Sequence, residues 1–286
     1  MIVDHLRLER RPPSRRTVLV CAFSGWNDGG EAATSAASYL RDRWGAERIG
    51  DLDPEEFFDF QVTRPHVRME GGTTRRIDWP ANELFHATLP ERDVLVFIGI
   101  EPNVRWRNFT RSLVDAAGEL EVVDFVTLGA FLADVPHTLA TPVTGSAADA
   151  ERARALGLTA TGYEGPTGIV GVLHDAAVRA GFPAVSLWAA VPHYLPAGPN
   201  PKAALALVRR ATELMGVGVD TDILSRAGNT WEQQITAGIE DNAEIRAYVE
   251  HLEQAADERK GPPVIPSGED LAQELEDFLR RERGDG

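Results

Sequence analysis

Four short runs of this chain are apolar almost without interruption: Val18 to Phe23, Val94 to Ile100, Val122 to Leu128 and Val185 to Val191. Each is rich in branched or aromatic residues and bounded by Gly, Pro or charged residues, the pattern of buried strands. Continuous apolarity, in place of strict alternation, suits a sheet covered on both faces. Between the runs the apolar spacing becomes helical. It predicts helices from about Glu31 to Trp44, from Trp106 to Ala117, and from near Thr167 to a glycine stop at Gly181. This alternation predicts an α/β fold of three α/β/α layers around a largely parallel or mixed sheet, with a helical C-terminal part.

The stretch from Asp53 to Leu89 reads differently. Its pieces FFDFQV, HVRME and RRIDW are short and separated by charged or turn residues, which suggests added strands, antiparallel at the sheet edge. Ser146 and Asp149 have the spacing of a capping box, and Gly157 closes that short helix. Asn200 before Pro201 marks another helix start. A long helix is expected from about Thr230 to Asp257, with an apolar seam of Trp231, Ile235, Ile239, Ile245, Val249 and Leu252 that Asn242 interrupts. After it, Lys260 to Gly268 reads as a linker. A last amphipathic segment carries Leu271, Leu275, Phe278 and Leu279 on one face, with Ser267 placed to cap it. The expected organisation is an α/β core with a helical extension over residues 1–258, then a linker and acidic tail over 259–286.

Composition narrows the partners. The chain has 286 residues and a formal net charge of −15. That balance disfavours a nucleic-acid backbone, which needs clustered cations. The one cysteine, Cys21, lies in the first apolar run and cannot form an internal disulfide. The N-terminus lacks the apolar stretch of a secretory signal, and no run of about 20 apolar residues suggests a membrane span. A cytoplasmic protein with no membrane partner is the expectation. The histidines show no paired spacing, so no metal site is expected. No Gly-x-Ser-x-Gly elbow and no phosphate-loop lysine occur, and no cofactor is expected.

Candidate chemistry sits where strands end, the usual ligand position in open α/β sheets. Gly25-Trp26-Asn27-Asp28-Gly29-Gly30 follows the first strand and opens an alanine-rich helix. Its N–H groups could attract an anion, yet Asp28 and Glu31 bring negative charge to the same place, and Asn27 or Asp28 is equally suited to cap the helix. Glu101-Pro102-Asn103-Val104-Arg105-Trp106 follows the second strand. There Glu101 could serve as acid, base or acceptor and Arg105 as an anion clamp; the plainer reading is a surface Glu–Arg pair with Trp106 in the core. Tyr163, Glu164 and Thr167 open a glycine-rich helix start, with Thr167 as cap and Gly168 and Gly171 allowing close approach. His193 follows the fourth strand and is the best-placed group for chemistry near neutral pH; His137 sits in a similar turn. Either histidine could equally be a hydrogen-bonded turn residue.

In this order the motifs SGWNDGGEAA, GIEPNVRW, ADVPHT with VTG, YEGPTGIVG and SLWAAVPHY resemble the proteasome assembly chaperone 2 family, in its actinobacterial branch. The resemblance spans about residues 17–257. It implies a core similar to nucleoside phosphorylases and related hydrolases, and it implies homo-oligomers. It leaves the activity open. The expectation is an oligomeric scaffold or assembly factor with protein partners, and a trimer is the expected size. The alternative is an enzyme or sensor for a small anionic or nucleoside-like ligand. Family members in other lineages are linked to proteasome assembly, some through a hydrophobic-Tyr-x tail; this chain ends Arg281 to Gly286 without that pattern.

Overall fold

The computed structural model describes residues 2–3, 5–13, 16–72, 74–159, 163–195 and 198–258. Gly162 and the proposed linker and tail at 259–286 lie outside these residues. Along the chain the strands are β1 (Ile2–Val3), β2 (Leu6–Leu8), β3 (Thr17–Ser24), β4 (Glu47–Leu52), β5 (His66–Glu70), β6 (Thr74–Asp78), β7 (Asn82–Thr88), β8 (Asp93–Ile100), β9 (Val122–Ala133), β10 (Val143–Ala147) and β11 (Ala184–Pro192). The helices are α1 (Ala32–Arg43), α2 (Trp106–Glu119), α3 (Ala150–Ala155), α4 (Ile169–Arg179), α5 (Pro201–Met215), α6 (Asp222–Ile239) and α7 (Ala243–Glu258).

The main sheet runs β1-β2-β4-β7-β8-β3-β9-β11-β10. The four apolar runs of the sequence are its adjacent strands β8, β3, β9 and β11, all mutually parallel. The flanking strands pair antiparallel, which makes the sheet mixed.

Alternation along β3 shows why the run must be apolar throughout. Val18, Val20 and Ala22 face one core with Ala32, Ala33, Ala36, Ala37 and Leu40 of α1 and Ala203, Ala204, Leu207 and Val208 of α5. Leu19, Cys21 and Phe23 face the opposite core with Phe109 and Leu113 of α2 and Ile169, Val170 and Leu173 of α4. Both cores are sealed, so neither set can be polar. The first uses alanines, whose small side chains let α1 and α5 lie close to the sheet. The second holds a knot of aromatic rings: Phe23, Phe57 and Phe97 surround Phe109 with centroids 5.2–6.3 Å away. Each fully buried ring contributes about 1.5–3 kcal/mol.

Several local expectations are corrected. FFDFQV forms turns, and HVRME and RRID form a separate two-stranded hairpin, β5–β6, that does not join the main sheet. The intervening hydrophobic density was too low for a half-buried edge strand, as the exposure of its residues shows. Ser146 lies in β10, and Asp149 itself caps α3 by accepting from the Arg152 N–H at 2.8 Å. The long C-terminal helix is two helices, because the Asn242 side chain accepts from the Ile245 N–H at 3.1 Å and starts α7 afresh. Asn200 caps α5 as expected, accepting from the Ala203 N–H at 2.9 Å.

Candidate functional site

The parallel strands deliver their following loops to one edge of the sheet, and there three of the polar clusters meet. Glu101 Oε1 accepts from Asn27 Nδ2 at 2.9 Å and from the backbone N–H of Ile169 at 2.8 Å. Its Oε2 lies 3.4 Å from the Trp26 N–H. One carboxylate therefore joins the loops after β3 and β8 to the N-terminus of α4. It satisfies an amide that the helix itself leaves open and places negative charge at the positive end of its dipole. The cap expected of Thr167 is supplied by Glu101 across the sheet edge, and Gly168 takes the N-cap position with no side-chain bond.

Two glycines make this junction possible. Gly25 has φ of +127°, and a Cβ there would come within 3.0 Å of Glu101 Cβ. At Gly168 a Cβ would lie 2.0 Å from Asn27 Nδ2. Asn27 is almost fully buried by this approach. Its backbone carbonyl accepts from the Ala130 N–H at 2.8 Å, which fixes the loop to β9.

Asp28 is a second acid at this edge and is itself buried. Its Oδ1 accepts from the N–H groups of Ala33 at 2.7 Å and Thr34 at 3.2 Å, and Oδ2 accepts from the Thr34 hydroxyl. It caps α1 from four residues before the helix begins at Ala32. Burial pushes its carboxyl above the usual range, while these hydrogen bonds pull the other way.

Beside the junction lies a cavity of about 750 Å³. Its walls are largely aromatic and aliphatic, with Trp26, Phe131, Leu132, Trp188, Trp231 and Ile235 prominent. Asp28, Thr144, Ser146, Thr167, His174 and Ser186 add polar atoms, and none of the described lining residues is Lys or Arg. The Ser186 hydroxyl accepts from Trp188 Nε1 at 2.8 Å, which holds the indole in place. The His174 Nδ1 is buried and has no hydrogen-bond partner among the described residues, and burial lowers this histidine's pKa.

The predicted site residues divide. Gly25, Trp26, Asp28, Tyr163 and Thr167 line the cavity; Asn27 and Glu101 bond to each other and do not line it. Tyr163 is held by donating to the Pro166 carbonyl at 2.8 Å. Glu164 is exposed and does not line the cavity. Asn103 Oδ1 accepts from the Asp59 N–H at 2.9 Å and the Thr63 hydroxyl at 3.0 Å, so it braces the loop over β8. Arg105 pairs with Glu56 at the surface and does not line the cavity. Trp106 packs against the core as the plainer reading had it.

The two histidine turns go to a separate place. His193 Nδ1 lies 3.3 Å from Asp134 Oδ1 and from the Ala133 carbonyl, and its Nε2 lies 3.4 Å from the Tyr248 hydroxyl. The buried His137 donates its backbone N–H to the Tyr194 hydroxyl at 2.8 Å, and that hydroxyl is 2.7 Å from His137 Nδ1. The Thr236 hydroxyl donates to the Glu232 carbonyl at 2.9 Å and so accepts from His137 Nε2–H at 3.1 Å, which leaves Nδ1 to accept the tyrosine proton. Lys202 Nζ donates to the His137 carbonyl at 2.7 Å and pairs with Glu232. Thr138 donates to Glu253. These histidines lock α6 and α7 onto the core. Burial lowers His137 and pushes the Tyr194 hydroxyl up to about 12.

Sequence reasoning missed Phe131, Leu132, His174 and Ser186 as lining residues, and it read Trp231 only as part of a helix seam. The rule that ligands lie past strand ends could have extended the search along β9, which continues to Ala133. Nothing local marks His174, on the helix that the glycines introduce. Among the described residues no group of three or more His, Cys, Asp or Glu is placed to hold a metal, and no helix is long and apolar enough to cross a membrane.

No curated protein matches the chain. A proteasome-assembly chaperone homologue from Mycobacterium tuberculosis is 46% identical with a TM-score of 0.75, and the match covers 81% of this chain and 99% of that one. A PAC2 family protein from Streptomyces avermitilis is 44% identical with a TM-score of 0.75, covering 82% of this chain and 99% of its own. An archaeal proteasome activator from Pyrococcus furiosus shares the fold at 15% identity, with a TM-score of 0.68 over 82% of this chain and 98% of that one. The PAC2 family model matches residues 22–237, and the chain belongs to that family.

Proposed function

We propose that this protein is an oligomeric assembly factor that works through protein contacts. The observation that carries this reading is the fate of the polar clusters. Glu101, Asp28 and Arg105 are engaged with partners inside the chain, and the cavity is left with mainly apolar walls. Such walls suit apolar side chains of a protein segment. The small-anion alternative has less support. No described lining residue is cationic, and the first free amides of α1 and α4 are taken by Asp28 and Glu101.

The Mycobacterium relative's description as a proteasome-assembly chaperone homologue supports proteasome subunits as the client class. The protein acts as a trimer in the cytoplasm, where its lone buried thiol at Cys21 is kept reduced. Residues 1–258 form the working body, with 259–286 as a tail. Light scattering on the full chain gives a mass three times 31.2 kDa on this reading. Added to actinobacterial proteasome subunits, the protein co-sediments with them; a monomer that ignores those subunits contradicts the proposal.

A further inference from the structure

The β5–β6 hairpin stands apart from the body. Among the described residues it packs substantially against no other helix or strand, and nearly all of its own are exposed. Its register pairs Val67 with Ile77 and Met69 with Arg75, while His66 faces Asp78 and Arg68 faces Arg76. Alternation puts the first four on one face and the others on the second. The second face is closed by ion pairs, Arg68–Asp78 and Arg76–Glu70, each at 3.0 Å. The first face carries three apolar side chains beside Arg75, all exposed: Val67 is 63% exposed, Met69 51% and Ile77 51%. Trp79 and Val62, which flank the hairpin in sequence, are 50% and 71% exposed. Five of the eleven large hydrophobics exposed among the described residues fall within 62–79.

A two-stranded hairpin with nothing against its apolar face is marginal in water, and clustered exposed apolar residues mark a contact surface. Charge indicates what covers it. The segment carries Arg64, Arg68, Arg75 and Arg76 against Glu70 and Asp78, so it is basic, whereas the whole chain has a net charge of −15. A basic arm on an acidic body is complementary to the body of another copy. We propose that the β5–β6 hairpin is an arm that lays its Val67–Met69–Ile77 face on a second copy of this chain. Arms laid in turn, each on the next copy, close a ring such as the trimer proposed above. The inference rests on the oligomeric reading above and adds the surface that makes the oligomer.

Sedimentation velocity on the full chain and on a Val67→Glu/Ile77→Glu variant tests it. Both positions are exposed, so circular dichroism is expected to be unchanged. The expected result is an assembled native chain and a variant whose association weakens at least tenfold. If the variant assembles like the native chain, the arm is wrong and the oligomeric reading stands. If the native chain is itself a monomer at micromolar concentration, both fall. Hydroxyl-radical footprinting of the native chain gives a second readout that needs no variant. Met69 and Trp79 become protected as concentration rises through assembly; continued oxidation in the full oligomer overturns the arm and points to a different partner for this face.

Discussion

Glu101 accepts a hydrogen bond from Asn27 at 2.9 Å although the two are 74 residues apart in the chain. This contact, with the Ile169 amide on the same oxygen, holds the sheet edge together. Both acids at this edge serve folding first. Replacing Glu101 with Ala removes charged hydrogen bonds from Asn27 and from the start of α4. The expected cost is about 2–3 kcal/mol in a urea titration, since such bonds contribute about 1.5–3 kcal/mol and leave donors unpaired when lost. Glu101→Gln keeps the shape and is expected to cost less. An unchanged midpoint for Glu101→Ala would show that the junction does not hold the loops.

The close approach of Gly168 to Asn27 gives a second test. Gly168→Ala forces a methyl group to within 2.0 Å of the Asn27 amide and is expected to cost about 1–3 kcal/mol through overpacking. In an Asn27→Ala background the same methyl group has room, so the two changes are expected to be non-additive in a double-mutant cycle. Additive costs would place the strain elsewhere.

Acid is expected to loosen the C-terminal helices. Burial holds His137 below its usual pKa; Glu232 and Glu253 oppose that shift and Lys202 adds to it. The unfolded chain therefore takes up the proton first. Stability present above about pH 6.5 is lost as pH falls below that value toward the folded pKa. His174 acts with the same sign. Asp28 has the opposite sign, because its carboxyl is raised, and it acts at lower pH. Thermal unfolding is expected to drop between pH 7.5 and 5.5, and His137→Gln is expected to flatten that slope in part. An equal slope in the variant would remove His137 from the account.

The cavity is expected to ignore small anions. With no cationic lining residue described, millimolar inorganic phosphate should leave the melting temperature unchanged beyond its general salt effect. A site-saturable rise, lost on changing Thr167 or Ser186, would instead show an anion site, because a ligand that binds only the native state must stabilise it.

The parallel centre of the fold was legible because both faces of β8, β3, β9 and β11 are buried, which leaves a continuous apolar signal. The antiparallel half was not. In β4, Glu47, Arg48 and Asp51 break the apolar run, and Arg48 is held by ion pairs to Glu9, Asp51 and Glu83 that join separate segments. In β7, Asn82 is buried because its Oδ1 accepts from the Ile100 N–H at 2.8 Å, a partner no local pattern announces. The meeting of the Gly25 and Glu101 loops followed from strand direction alone. The destinations of Arg105 and His193 did not, because Glu56, Asp134 and Tyr248 come from distant segments.

The central claim is that the protein acts on other proteins during assembly. The most direct measurement is the rate at which actinobacterial proteasome subunits form the complete particle, followed by native gels with and without this chain. The account predicts faster or more complete assembly at stoichiometric amounts, weakened when the apolar wall is disrupted by Phe131→Asp or Leu132→Asp. Identical assembly curves with and without the protein would contradict it.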